Sequence, residues 1–185
     1  MSYPNLSDEQ LMVRMLNGDR RSVEELYERY FDKLVWFAKS IIKDLSKAED
    51  IVQELFIKLI NEPQKFDIDK KFSTWIYTGV LNRCKNLIRD ETNRSRIIQE
   101  IAKTSHTSTA LKLDHDMGVL QQHLSTLLKE LSEKDQMIFR LKFEQELSIK
   151  EIAEILHIPE GSVKSSTYYL LKKITPQLKK FNYER

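Results

Sequence analysis

Asn82, Lys85, Asn86 and Arg89 recur at three- and four-residue intervals, so a helix through them carries two amides and two cations along one side. An amide can pair with a base edge and a cation can hold a phosphate, so this row suits a nucleic acid. A second row lies in "GSVKSSTYYLLKKI" (161–174), where Ser165, Ser166, Thr167, Tyr168 and Tyr169 stand between Lys164 and Lys172. Hydroxyls bond phosphates and bases, and tyrosine rings can touch thymine methyls. Asp50, Gln53 and Glu54 form a third row at i, i+3, i+4. Phe66, Phe72, Trp75 and Tyr77 are aromatic faces on which unstacked bases could rest, although Trp75, mid-helix beside Ile76, is expected in the core.

Charge follows the same division. Net charge is only +2, too mild for general nucleic-acid affinity. Between Lys164 and Lys180 there are five lysines and no acid, and between Arg83 and Arg96 five basic residues face Asp90 and Glu91. The stretch 44–54 reverses the sign, with Asp44, Glu49, Asp50 and Glu54 against Lys47. Two contacts with a polyanion and one with something else are expected.

Catalysis finds no footing. Paired carboxylates, a nucleophile–base set and a glycine-rich phosphate loop are not apparent, so no enzyme is expected. His106, His115, His123 and His157 lack metal-ligand spacing with each other or with Cys84, so neither metal nor cofactor is expected. A single cysteine builds no internal disulfide and fits a reducing compartment, and Cys84 among apolar and basic neighbours reads as inert packing. The start "MSYPNLSDEQ" is polar and acidic, unlike a signal peptide, and no apolar run approaches the roughly 20 residues of a membrane span. No membrane insertion and a cytoplasmic location are the expectation.

Helices must position these rows. Gly and Pro number only four each, too few for a strand-and-turn fold. Ser followed three residues later by Glu, Gln or Asp marks helix starts at Ser7–Gln10, Ser22–Glu25, Ser46–Glu49, Ser132–Asp135 and Ser148–Glu151. Apolar residues at helical spacing then run to about Lys43, from Ser46 to Asn61, and from Ser73 to about Thr92, with "PQKFDIDKK" a loop. Their stripes must face one another, which makes a bundle over 1–93. The Ser-, Thr- and His-rich stretch over 94–118 reads as a flexible linker. Residues 119–185 hold four helices: "VLQQHLSTLLKEL", one from Ser132 to about Glu146, and a final pair. In that pair Ser148 caps, Ile149, Ile152, Ala153 and Leu156 face inward, "HIP" turns, and Val163, Leu170 and Ile174 bury the second helix. The spacing is that of a helix-turn-helix. The fold expected is all-α, two small helical domains on a tether.

"LSEKDQMIFRLKFEQELSIKEIAEILHIPEGSVKSSTYYLLKKI" resembles the −35-binding, region 4 domain of sigma-70-type initiation factors. "SKAEDIVQELFIKL" followed by "KFSTWIYTGVLNRCKNLIRD" resembles their region 2 domain, and the small extracytoplasmic-function (ECF) group is the best match. The resemblance implies core RNA polymerase and promoter DNA as partners, with an anti-sigma factor or a recruiting protein beside them. It places Asp50, Gln53 and Glu54 against the polymerase, and Asp69, Lys70, Phe72, Asn82, Lys85, Asn86 and Arg89 at the −10 element. Lys164, Ser165, Ser166, Tyr168, Tyr169 and Lys172 fall at the −35 element.

In the family pattern, Ser166 and Tyr169 occupy positions where arginine is frequent. A bidentate arginine on guanine is worth about 1–3 kcal/mol of discrimination, so −35 reading is expected to be altered or about 10- to 100-fold weaker. Two other functions fit the same residues: a helix-turn-helix regulator acting without polymerase, and a polymerase-binding adaptor that reads no promoter.

Overall fold

A computed structural model describes Tyr3, residues 5–101, Leu128 and residues 130–183, the side chains of 96–101 and 177–183 lying outside that description. The chain divides into two compact units, the first ending at Ile101 save for three residues, Glu154–Leu156, grouped with it. Among the described residues there is no strand, as the turn-poor composition requires.

The first unit holds α1 (Asp8–Leu16), α2 (Arg20–Ile42), α3 (Leu45–Asn61), a 3-10 turn at Pro63–Lys65, and α4 (Phe72–Ile101). Ser7 and Gln10 form the expected reciprocal cap on α1. The expected caps at Ser22 and Ser46 are corrected. Asp19 caps α2, accepting from the Arg21 N–H, while Ser22 is buried in the first turn and donates to the Asp19 carboxylate. Asp44 caps α3, accepting from the Lys47 N–H. Aspartate caps as well as serine, so a search for Ser-x-x-Glu alone starts both helices too late. The end of α2 falls where expected, on Lys43 in the left-handed region at φ 61°.

The α4 helix passes the expected end at Thr92 and continues to Ile101. Of the linker expected over 94–118, residues 94–101 are therefore helical, and the rest lies outside the described residues. Polar residues such as Glu91, Thr92 and Asn93 extend a helix already nucleated by its buried half, where each added residue gains a backbone bond.

The core of this unit joins Leu11 and Met12 of α1, Leu26, Leu34 and Phe37 of α2, Val52, Phe56 and Leu59 of α3, and Phe72, Ile76, Val80 and Leu81 of α4. Each such side chain contributes about 1.5–3 kcal/mol on burial. Gly79 lets α4 lie close on α3, because a Cβ there would sit 3.1 Å from both methyls of Leu55.

The second unit contains α5 (Glu133–Phe139), a π-helical turn at Arg140–Glu144, α6 (Ile149–Leu156) and α7 (Glu160–Tyr183). Ser132 caps α5, and Ser148 exchanges side-chain bonds with Glu151 at the start of α6, both as expected. The helix expected to run on to Glu146 instead widens at Arg140, whose carbonyl accepts the Gln145 N–H at 3.0 Å. The extra residue in that turn lets Leu141 and Leu147 both reach the interior. The helix expected within 119–131 lies outside the described residues apart from Leu128 and residues 130–131.

Between α6 and α7 the chain turns at His157 (φ 55°), Ile158 and Pro159, the "HIP" of the sequence. The Ile158 N–H returns to the Ala153 carbonyl, and the Pro159 carbonyl accepts the Ser162 N–H, which closes one helix and opens the next. Ile152 and Ala153 of α6 and Val163, Leu170 and Ile174 of α7 are buried as expected, whereas Ile149 and Leu156 are half-buried.

Candidate nucleic-acid and protein interfaces

The middle of α3 presents Asp50, Gln53 and Glu54 to solvent while Ile51, Val52, Leu55 and Phe56 face inward. Helical spacing therefore brings the three together on one face, as the sequence implies. Two features were not legible there. Ile57 and Ile60 continue the face toward the end of α3 and are 57% and 51% exposed. Glu54 is also tied to α4 through Arg83, with Oε2 3.1 Å from Nη1. Arg83, counted in the sequence among the basic residues of 83–96, holds this carboxylate. A shallow groove of about 400 Å³ lies along the pair, lined by Glu54, Ile57, Lys58, Asn61, Glu62 and Arg83. The face thus combines acid, amide and apolar groups, a mixture suited to a protein partner and poorly suited to a phosphate backbone.

On α4, Asn82, Lys85, Asn86 and Arg89 are all exposed and share a side, with Val80, Leu81 and Cys84 buried behind them. Arg89 Nε lies 3.2 Å from Asp90 Oδ1, a pair exposed on both sides and therefore easily exchanged for a phosphate. Burial pushes the Cys84 thiol up to about 12, so it stays protonated and unreactive, consistent with packing.

The loop ahead of α4 keeps Asp69 and Lys70 exposed. Asp67 organises it: its side chain accepts the Asp69 N–H at 3.2 Å, its carbonyl accepts the Lys70 N–H at 2.9 Å, and its carboxylate lies 3.6 Å from Lys70 Nζ. Phe72 requires a correction. It is fully buried, packed edge-on against Tyr30 (5.2 Å) and Phe66 (5.8 Å) and stacked with Trp75 (6.0 Å). Phe66 and Tyr77 are buried as well. In this conformation Phe72 offers no face to a base; it anchors the loop from inside. Trp75 is half-buried rather than wholly in the core. Nothing in the sequence separated loop aromatics that face out from those that face in.

On α7, Lys164, Ser165, Tyr168, Tyr169 and Lys172 are exposed and Ser166 is half-buried. Tyr168 and Tyr169 are 70% and 53% exposed, and Leu171 adds a further 48% exposed apolar side chain. Ser165 donates to the Gly161 carbonyl at 2.8 Å, and Lys164 Nζ lies 3.8 Å from Glu160. Thr167 is half-buried and donates to the Val163 carbonyl at 2.8 Å. This face is wide, aromatic and only moderately basic. Among the described residues, no cluster of His, Cys, Asp and Glu could hold a metal ion, and no helix is long and apolar enough to cross a membrane.

The described residues thus give a helix-turn-helix in one unit and, in the other, a basic–amide helix beside an acidic one. The model for sigma-70 region 2 matches residues 26–94, and that for sigma-70 region 4 matches residues 121–174. The ECF RNA polymerase sigma factor SigW of Bacillus subtilis is 31% identical over 172 residues, covering 88% of this chain and 91% of that one. The ECF RNA polymerase sigma-E factor of Escherichia coli is 28% identical, covering 88% and 90%. The chain belongs to the ECF RNA polymerase sigma factors. Two solved structures share the fold: CnrH in complex with the cytosolic domain of CnrY (TM-score 0.65, 19% identity, 93% of this chain and 97% of that one), and the sigma factor RpoE in complex with the anti-sigma factor NepR from Bartonella quintana (0.61, 22%, 84% and 96%).

Proposed function

We propose that this chain is an alternative sigma factor that joins core RNA polymerase through the α3 face and opens promoters with α4 and the loop before it. The observation that carries this is the order of two separate modules, with the acidic–amide face and the basic–amide face on successive helices of the first. The polymerase contact is Asp50, Gln53 and Glu54, widened by Ile57 and Ile60. The −10 contact is Asp69, Lys70, Asn82, Lys85, Asn86 and Arg89. Opening a duplex costs a few kcal/mol per step, and capture of unstacked bases offsets it. The chain lends recognition and does no chemistry itself; the polymerase does.

The −35 contact is Lys164, Ser165, Ser166, Tyr168, Tyr169 and Lys172 on α7. With serine and tyrosine at two usual arginine positions, this helix binds DNA with altered or reduced base selectivity, and a recruiting protein helps to place it. Residues 1–93 and 119–185 are the two working modules, tethered by the segment between them, so each raises the local concentration of the other at the promoter. An anti-sigma factor, as bound to the RpoE of Bartonella quintana, is the regulatory partner expected, and the cytoplasm is where polymerase is met.

Reconstitution tests both parts. Core polymerase with the full chain should select promoters from a random library, and the −35 consensus should be weak or A/T-rich. A sharp G/C-specific −35 consensus obtained without any helper contradicts the reading of α7. Co-purification with core polymerase separates this function from that of a free regulator.

A further inference from the structure

The loop that carries Asp69 and Lys70 ends at a helix whose cap position offers no side-chain acceptor. The Lys71 carbonyl accepts the Trp75 N–H at 3.2 Å, which makes Lys71 the cap residue of α4. A lysine side chain has no acceptor to offer the orphan N–H groups of the first turn. The acceptor comes from another helix. Glu9 of α1 takes the Phe72 N–H on Oε1 at 3.3 Å, and the same oxygen lies 3.8 Å from Lys71 Nζ. The preceding residue, Asp8, reaches the same place through α2. Asp8 Oδ1 lies 2.8 Å from Arg29 Nη1, and Oδ2 accepts the Tyr30 hydroxyl at 2.5 Å. The Tyr30 ring in turn packs against Phe72. Two successive carboxylates of α1 thus hold the first residue of α4, one by its backbone and one through a ring against its side chain.

We propose that Glu9 is a positioning residue for promoter opening, capping α4 from outside that helix and thereby fixing the loop 66–71 on which Asp69 and Lys70 are carried. Neither the acidic face of α3 nor the basic face of α4 includes it, and it lies before the segment matched by the region 2 model. The inference rests on the reading that this loop engages the opened −10 strand. Its physical content is that a cap mostly affects the residues just ahead of a helix, so losing Glu9 loosens the loop more than the bundle.

The test uses holoenzyme assembled from core polymerase and the full chain, on a promoter selected by the wild-type holoenzyme. Opening is followed by permanganate reactivity of the −10 thymines, and assembly by affinity for core. Glu9→Ala should slow opening about fivefold or more, the ratio expected of one lost cap, with assembly unchanged. Glu9→Gln keeps the acceptor and should stay within about twofold of wild type. The double variant Glu9→Ala/Lys71→Ser rebuilds a cap within α4 and should recover most of the lost rate, with Lys71→Ser alone as the reference. A Glu9→Ala protein that opens at the wild-type rate overturns the proposal. So does a double variant as slow as Glu9→Ala, which would reduce Glu9 to general packing of α1. A wild-type holoenzyme that opens no promoter instead overturns the reading of the loop itself, and the proposal with it.

Discussion

Replacing Phe72 with alanine separates a core anchor from a DNA contact. The side chain is 0% exposed and touches the rings of Tyr30, Phe66 and Trp75, so truncation empties the space of a whole ring among three others. Buried Phe→Ala changes cost about 3–5 kcal/mol, because the lost transfer energy and the residual cavity add. In a unit of about 100 residues each kcal/mol lowers the midpoint by about 4–8 °C, so Phe72→Ala should melt about 12–40 °C earlier. Phe72→Leu keeps most of the volume and should lose well under half of that. The assay is thermal unfolding of the full chain without DNA or polymerase, followed by tryptophan fluorescence, since Trp75 stacks on the ring. A Phe72→Ala protein that melts within about 3 °C of wild type yet fails to open promoters refutes the burial argument and returns Phe72 to the DNA.

Ile57→Asp changes a side chain that is 57% exposed, so stability should stay within about 0.5 kcal/mol while affinity for core polymerase falls at least about tenfold; titrated binding to core, with unchanged affinity as the contrary result, decides it. Burial pushes the Glu9 carboxyl up, but hydrogen bonds from its own backbone N–H and that of Phe72, with the Lys71 charge and a bond to Ser7, outweigh it and hold the group below its ordinary 4.5. A carboxyl depressed on folding stabilises the fold above its unfolded value and loses that contribution as pH falls through the folded one. Urea midpoints of wild type should therefore fall below pH 4.5 more steeply than those of Glu9→Gln, and parallel curves would contradict the cap. Installing arginines, as Ser166→Arg and Tyr169→Arg, should sharpen −35 selection by about 1–3 kcal/mol for each that reaches a guanine, read as a new consensus in the promoter selection; an unchanged consensus would place both positions away from the bases.

The rows on α3, α4 and α7 were legible because three- and four-residue spacing survives whatever the helix packs against: Asp50 with Glu54, Asn82 with Asn86 and Lys164 with Tyr168 all emerge exposed. The caps at Ser7, Ser132 and Ser148 were legible for the same local reason. Two kinds of feature were not. Aromatic residues near a loop carry no mark of direction, and the orientation of Phe72 is set by Tyr30, more than 40 positions away. The cap on α4 comes from Glu9 across 63 positions, which no local pattern encodes. The pairing of Arg83 with Glu54 is hidden likewise, since it needs α3 and α4 already side by side. The start of α2 at Asp19 could have been found by admitting aspartate as a cap with Ser22 at the third helical position.

Run-off transcription measures the central claim most directly. Core polymerase would be given the selected promoter with no added factor, with the full chain, or with a chain carrying Asp50→Ala, Gln53→Ala and Glu54→Ala together. Those side chains are exposed, so the triple variant should fold. A transcript of defined start should require the wild-type chain and fall at least about tenfold with the variant. Equal transcript from core alone, or full activity from the variant, would contradict the assignment of polymerase binding to α3.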